Sequence, residues 1–162
     1  MTRTHPYRLT AVFLIASLGG AGTALADVRT QNAKLAALID DAAGRSQTFG
    51  RLLASVDAAN GIVYITPGRC DRVRACLLHK MTVAGSQRVL TVVIDPARSA
   101  PELAGVIAHE LQHAVEVLSD ERTTSDTDVF AFYRTRGLSA RGWFETRAAV
   151  EKADAVRREL RR

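Results

Sequence analysis

The sequence predicts a single α+β domain in which helices precede a small, mainly antiparallel sheet and further helices follow it. Three observations carry this reading. Apolar residues recur at helical spacing before residue 60 and again after residue 99, whereas residues 62–95 hold three short runs rich in β-branched side chains. The 162 residues suffice for one core and not for two. Apolar residues make up 47% and charged residues 24%, so wholesale disorder and a coiled-coil rod are excluded.

The elements follow in order. Residues 1–26 form an address. Arg3 and Arg8 precede a nearly continuous apolar run from Leu9 to Leu18, too short to span a bilayer as a helix. Gly19, Gly20 and Gly22 loosen the chain, and Ala24-Leu25-Ala26 supplies the small-x-small pattern of a signal-peptidase site. The expectation is a signal peptide cut after Ala26 and a mature single domain over 27–162. That domain is exported, periplasmic or secreted, without stable membrane insertion. Lys+Arg 22 against Asp+Glu 17 gives +5, and the cut removes two arginines and no acid, leaving +3. That charge is too mild to argue for a nucleic-acid partner.

In the mature chain, Leu35, Leu38 and Ile39 place a first helix over 29–43, with Gly44 as its stop. Phe49, Leu52, Leu53 and Val56 share one side of a second helix over 46–59, and Asn60-Gly61 reads as a turn. Strands are expected over 62–66, 76–83 and 88–95, the last two joined as a hairpin through 84–87. Cys70 and Cys76, the only cysteines, are expected to form a bridge, as two cysteines in an exported chain usually do. Pro101 and Glu102 open a helix that runs to about Ser119. A polar loop, a shorter helix capped by Ser125 and stopped by Gly137, and a long last helix over 139–160 complete the chain.

The chemistry sits in Ala108-His109-Glu110-Leu111-Gln112-His113, an H-E-x-x-H pattern inside the predicted long helix. Residues four apart lie about 40° apart around a helix, so His109 and His113 point the same way and can share one metal ion. Glu110 lies about 100° from His109, beside the ligands, where a general base for a metal-activated water belongs. Zinc needs a third protein ligand. No histidine follows the motif, so a carboxylate is expected from among Glu116, Asp120, Glu121, Asp126, Asp128, Glu145, Glu151, Asp154 and Glu159. Glu145 heads the otherwise apolar stripe Ala149, Ala153, Val156 and Leu160 of the last predicted helix, and a carboxylate there is costly unless paired or metal-bound. It is therefore the expected third ligand. Glu116 shares the histidine face one turn on and is expected as an outer partner of a ligand histidine.

Val106 to His113, followed by Phe144-Glu145-Thr146-Arg147-Ala148-Ala149, resembles the zincin metallopeptidases in their glutamate-ligand, or gluzincin, branch, and more narrowly small exported proteins with a minimal gluzincin core. The resemblance covers about residues 87–160. It implies a zincin-like fold, Zn2+ held by His109, His113 and Glu145, Glu110 as the base, and hydrolysis of peptide or protein substrates. It also implies an edge strand along the cleft, for which Val89 to Ile94 would stand. Tyr133, Arg134 and His79 are candidates for steadying an oxyanion. The chain has no room for the extra subdomains of large gluzincins, so the alternative is a metal-binding or regulatory module that does not cut.

Overall fold

A computed structural model describes residues 27–162 apart from 60, 72, 137, 141 and 142. The expected signal peptide over 1–26, Asn60 of the expected turn and the expected stop at Gly137 lie outside the described residues. The order is β1 (Val28–Arg29), α1 (Ala33–Arg45), α2 (Gln47–Ala58), β2 (Gly61–Pro67), β3 (Ala75–Ala84), β4 (Gln87–Ile94), α3 (Ala100–Leu118), α4 (Asp126–Arg136), β5 (Leu138–Ala140), β6 (Trp143–Glu145) and α5 (Arg147–Leu160). No helix among the described residues is long and apolar enough to cross a membrane.

The mixed helix–sheet architecture is as expected, but the sheet is not mainly antiparallel. Its strand order is β1-β2-β4-β3, with β1–β2 and β2–β4 parallel and only β3–β4 antiparallel. The hairpin from β3 to β4 obeys the local turn chemistry, with Gly85 at φ +63°. The pairing of β2 with β4 is non-local, and turn residues do not encode it. Its signal lies instead in β2 itself, where Ile62, Val63 and Ile65 are all buried. A continuous apolar run of this kind suits an internal strand with parallel neighbours. As a result β4 is internal and β3 is the edge strand, contrary to the expectation that Val89 to Ile94 forms the edge.

The helices also depart from expectation at their ends. The first helix passes Gly44 and stops at Ser46, which closes α1 through its backbone N–H and caps α2 through its side chain, accepting from the Phe49 N–H at 3.1 Å. The last helix does not begin at 139. An antiparallel strand pair, β5 with β6, takes up 138–140 and 143–145, and Thr146 caps α5 by accepting the Ala149 N–H at 3.2 Å. Cys70 and Cys76 form the expected disulfide.

Along β4 every second side chain is buried: Arg88, Leu90, Val92 and Ile94. The other face stays half-buried, so the helices cover one side of the sheet. Arg88 thus carries a charge into the core face at 8% exposure. Its guanidinium donates to the carbonyls of Ala59 (3.1 Å), Asp120 (2.9 Å), Thr123 (3.4 Å) and Leu118. These lie at the C-terminal ends of α2 and α3 and just beyond, where helices leave carbonyls unsatisfied and the dipole is negative. Beside them Gly61 packs closely: a Cβ there would meet the Leu118 methyls at 2.6 Å, so that side chain would have to shift.

Arg88→Leu keeps apolar bulk but strips the donors from buried carbonyls, so the folded state loses about 2–4 kcal/mol. Urea unfolding measures this; a midpoint equal to wild type would show that the four contacts add nothing net.

Candidate metal centre

Helix α3 begins with Pro101 in its first turn and Glu102 toward the positive end of its dipole. Its apolar stripe, including Leu103, Ile107, Leu111 and Leu118, is buried in the core. His109 is half-buried, and His113 (5% exposed) and Glu110 (7%) are buried. Helix α5 lies against α3 and brings the segment just before it, β6 and Thr146, over the histidine face. Glu145 therefore reaches the histidines from the end of β6, not from the helical stripe that singled it out in the sequence.

Among the described residues, His109, His113 and Glu145 form a group whose ligand atoms converge and can hold a metal ion. His109 Nε2 and His113 Nε2 are 3.2 Å apart. Glu145 Oε1 is 3.3 Å from the first and 3.5 Å from the second. Bonds of about 2.0–2.1 Å at a tetrahedral angle separate ligand atoms by about 3.3–3.4 Å. The three edges match one face of such a tetrahedron, and two imidazole nitrogens with a carboxylate oxygen suit zinc.

The surroundings fix the ligands. The Glu116 carboxylate lies 3.3 Å from His113 Nδ1 and accepts from Gln112 Nε2 at 3.1 Å and from the Thr146 hydroxyl at 2.9 Å. With Nδ1–H pointing at Glu116, the His113 Nε2 lone pair faces the group. Burial holds the His109 pKa down to about 4, helped by His113 and Arg157, so its imidazole is neutral and can donate a lone pair. Burial also opposes charge on His113, yet Glu116, Glu110 and Glu145 outweigh it and raise the pKa. Burial favours the protonated form of Glu116 too, but its three donors prevail and keep the carboxylate ionised. Glu110 is pushed up to about 7, by burial first, against the pull of His113 and of the Leu77 N–H, which donates to its Oε2 at 2.7 Å.

His109, Glu110, His113 and Glu145 line a cleft of about 320 Å3 between α3 and the edge strand β3, bordered by Tyr133 of α4 and Phe144 of β6. Of the oxyanion candidates, Tyr133 is buried and donates its hydroxyl to the His113 carbonyl at 3.0 Å. Arg134 is exposed and lies off the cleft lining. His79 stands at the rim, stacked on Tyr133 and packed beside Phe144 and Phe130. Several other carboxylates from the sequence list are engaged elsewhere. Asp120 pairs with Arg122 and Arg136, and Asp126 accepts from the Met81 N–H. Asp128 binds Ser125, Asp154 binds Arg157, and Glu159 binds Ser46 and Thr48. Two contributors were not singled out from sequence: the Leu77 N–H and the Thr146 hydroxyl. A threonine just before the helical periodicity of 147–160 was the available signal for the second.

No family model, no curated protein and no solved structure matches the chain.

The geometry predicts one metal ion per chain, for which zinc is the probe. His109→Ala, His113→Ala and Glu145→Ala each weaken zinc binding by more than about 100-fold, whereas Asp120→Ala leaves it unchanged. Zinc at a hundred times its Kd raises the unfolding free energy of the wild type by about 2.7 kcal/mol. Chelator competition and thermal unfolding with and without zinc check both statements.

Proposed function

We propose that the chain is an exported zinc-dependent peptidase, with His109, His113 and Glu145 as ligands and Glu110 as general base. One observation carries this: three converging ligand atoms, rather than four, share a cleft with a buried carboxylate. A closed structural site fills its fourth position with a protein ligand and has no use for a base beside it. Support for the gluzincin resemblance comes from the motif on α3, the carboxylate from a later segment and the antiparallel edge strand along the cleft. The disulfide supports export, because such bonds persist in oxidising compartments.

Zinc bound by His109, His113 and Glu145 would supply a Lewis acid for a substrate carbonyl and a water of lowered pKa, near about 7. The chain's own residues do the rest. Leu77 pins Glu110 Oε2, leaving Oε1 to accept the proton of the attacking water and pass it to the leaving amine nitrogen. Val73, Leu78 and Phe144 make the neighbouring wall apolar, which suits a peptide with an apolar side chain beside the scissile bond.

A second reading, a metal-binding module that does not cut, is favoured by the same bond: Glu110 is already buried and tied to the sheet. Cleavage of a mixed peptide library separates the two. The peptidase reading expects zinc-dependent products from the wild type and about 10²–10⁴-fold fewer from Glu110→Gln at equal zinc content. Equal rates in both would overturn the role of Glu110; zinc uptake with no products from either protein would establish the non-cutting module.

A further inference from the structure

We infer that Thr146 and Glu116 form a clasp that positions Glu145 against the two histidines, an inference that rests on the proposed metal centre. Thr146 makes four hydrogen bonds with its three polar groups. Its hydroxyl donates to Glu116 Oε1 at 2.9 Å and accepts the Ala149 N–H at 3.2 Å. Its backbone N–H donates to Glu145 Oε1, the converging oxygen, at 2.9 Å. Its carbonyl accepts the Val150 N–H. On the other side, Glu116 Oε2 faces His113 Nδ1 at 3.3 Å, and Gln112 donates to Oε1 at 3.1 Å. A continuous path of hydrogen bonds therefore runs from His113 through Glu116 and Thr146 to Glu145.

The path answers a positional problem. The two histidines are fixed by one rigid helix buried in the core. Glu145 has no such frame: it ends a three-residue strand of a two-stranded sheet, and its side chain is 39% exposed. A carboxylate so placed has free rotamers, and a ligand must hold its geometry closely. Thr146 ties the backbone beside it to α3 through Glu116, and the same Glu116 sets the tautomer of His113. One outer carboxylate thus aligns a ligand from each of the two segments that build the centre. Thr146 is a positioning residue; it touches neither substrate nor metal.

The competing explanation is that Thr146 only caps α5. A double-mutant cycle on zinc affinity, read by competition with a chromophoric chelator, separates the two without any assay of cleavage. Thr146→Val removes cap and donor together and keeps the shape. Thr146→Ser restores both. The clasp expects Glu116→Ala to weaken zinc binding about 10–100-fold and Thr146→Val about tenfold. It expects Thr146→Ser to stay within about twofold of wild type, and Thr146→Val to add less than about twofold when Glu116 is already alanine. If Thr146→Val changes affinity by the same factor with and without Glu116, or not at all, the clasp is wrong while the metal centre stands. If the wild type takes up no zinc, the metal centre falls and the clasp with it.

Discussion

Helix α5 meets α3 along a face of small side chains, and the position of every group before α5 follows from how closely the two helices pack. Ala149, Ala153, Val156 and Leu160 form the buried side of α5. On α3, Gly105 lies under the Arg157 stem, where a Cβ would sit 2.5 Å from its Cγ. Arg157 also reaches Glu102 and Asp154, and Arg161 reaches Glu102. Such partly exposed pairs contribute about 0–1 kcal/mol each. Full burial of an aliphatic side chain such as Val156 contributes about 1.5–3 kcal/mol. The seam is therefore held by fit rather than by charge. Because Thr146 caps α5, that fit sets where Glu145 ends up relative to histidines more than thirty residues earlier in the chain.

The same core accepts charged groups only where backbone groups meet them. Arg88 is answered by carbonyls at helix ends, and Glu110 by the Leu77 N–H. The second arrangement has a structural side as well. β3 is an edge strand, and an edge exposes N–H groups that invite pairing with another chain. Carboxylates from two helices take two of them: Glu110 from α3 takes Leu77, and Asp126 from α4 takes Met81. The register shifts between these two residues, so the ladder to β4 is interrupted along the stretch that borders the cleft. The acid proposed as base therefore also fastens the cleft wall to the helix that forms its floor.

What the sequence made legible follows the range of the interactions. The histidine pair depends on one helical turn, and α3 places it as the spacing requires. The β3–β4 hairpin and the disulfide likewise depend on nearby residues. Glu145 was singled out by an angular argument that assumed a helix from 139, yet it stands on β6. The convergence comes from the β5–β6 pair and the Thr146 cap, so the residue and the reason part company. The strand order escaped because pairing of β2 with β4 joins strands far apart in the chain and is not decided by any turn. Arg88 could have been read: it falls in phase with Leu90, Val92 and Ile94 in an alternating strand, and a charge on a core face needs a partner.

The donor set leaves more than one metal in play, and distances help to decide between them. Oxygen-seeking ions are poorly served by two imidazoles, and calcium takes six to eight oxygens. Two histidines and one carboxylate also form the facial triad of non-haem iron, so ligand identity alone does not select zinc. The two geometries differ in their edges. Adjacent ligands at a right angle with bonds of about 2.1–2.2 Å lie about 3.0–3.1 Å apart, against about 3.3–3.4 Å for a zinc tetrahedron. The edges of 3.2, 3.3 and 3.5 Å lie nearer the second. A square-planar arrangement is further off still, since it needs one trans pair about 4 Å apart. Glu110 adds a chemical reason in the same direction. Redox chemistry at an iron triad has no need of a buried acid next to the ligands, whereas hydrolysis needs a base to take a proton from water. Under the proposed function the two fit together: the three ligand atoms offer a tetrahedral face, and the residue between the two histidines offers the base that hydrolysis needs.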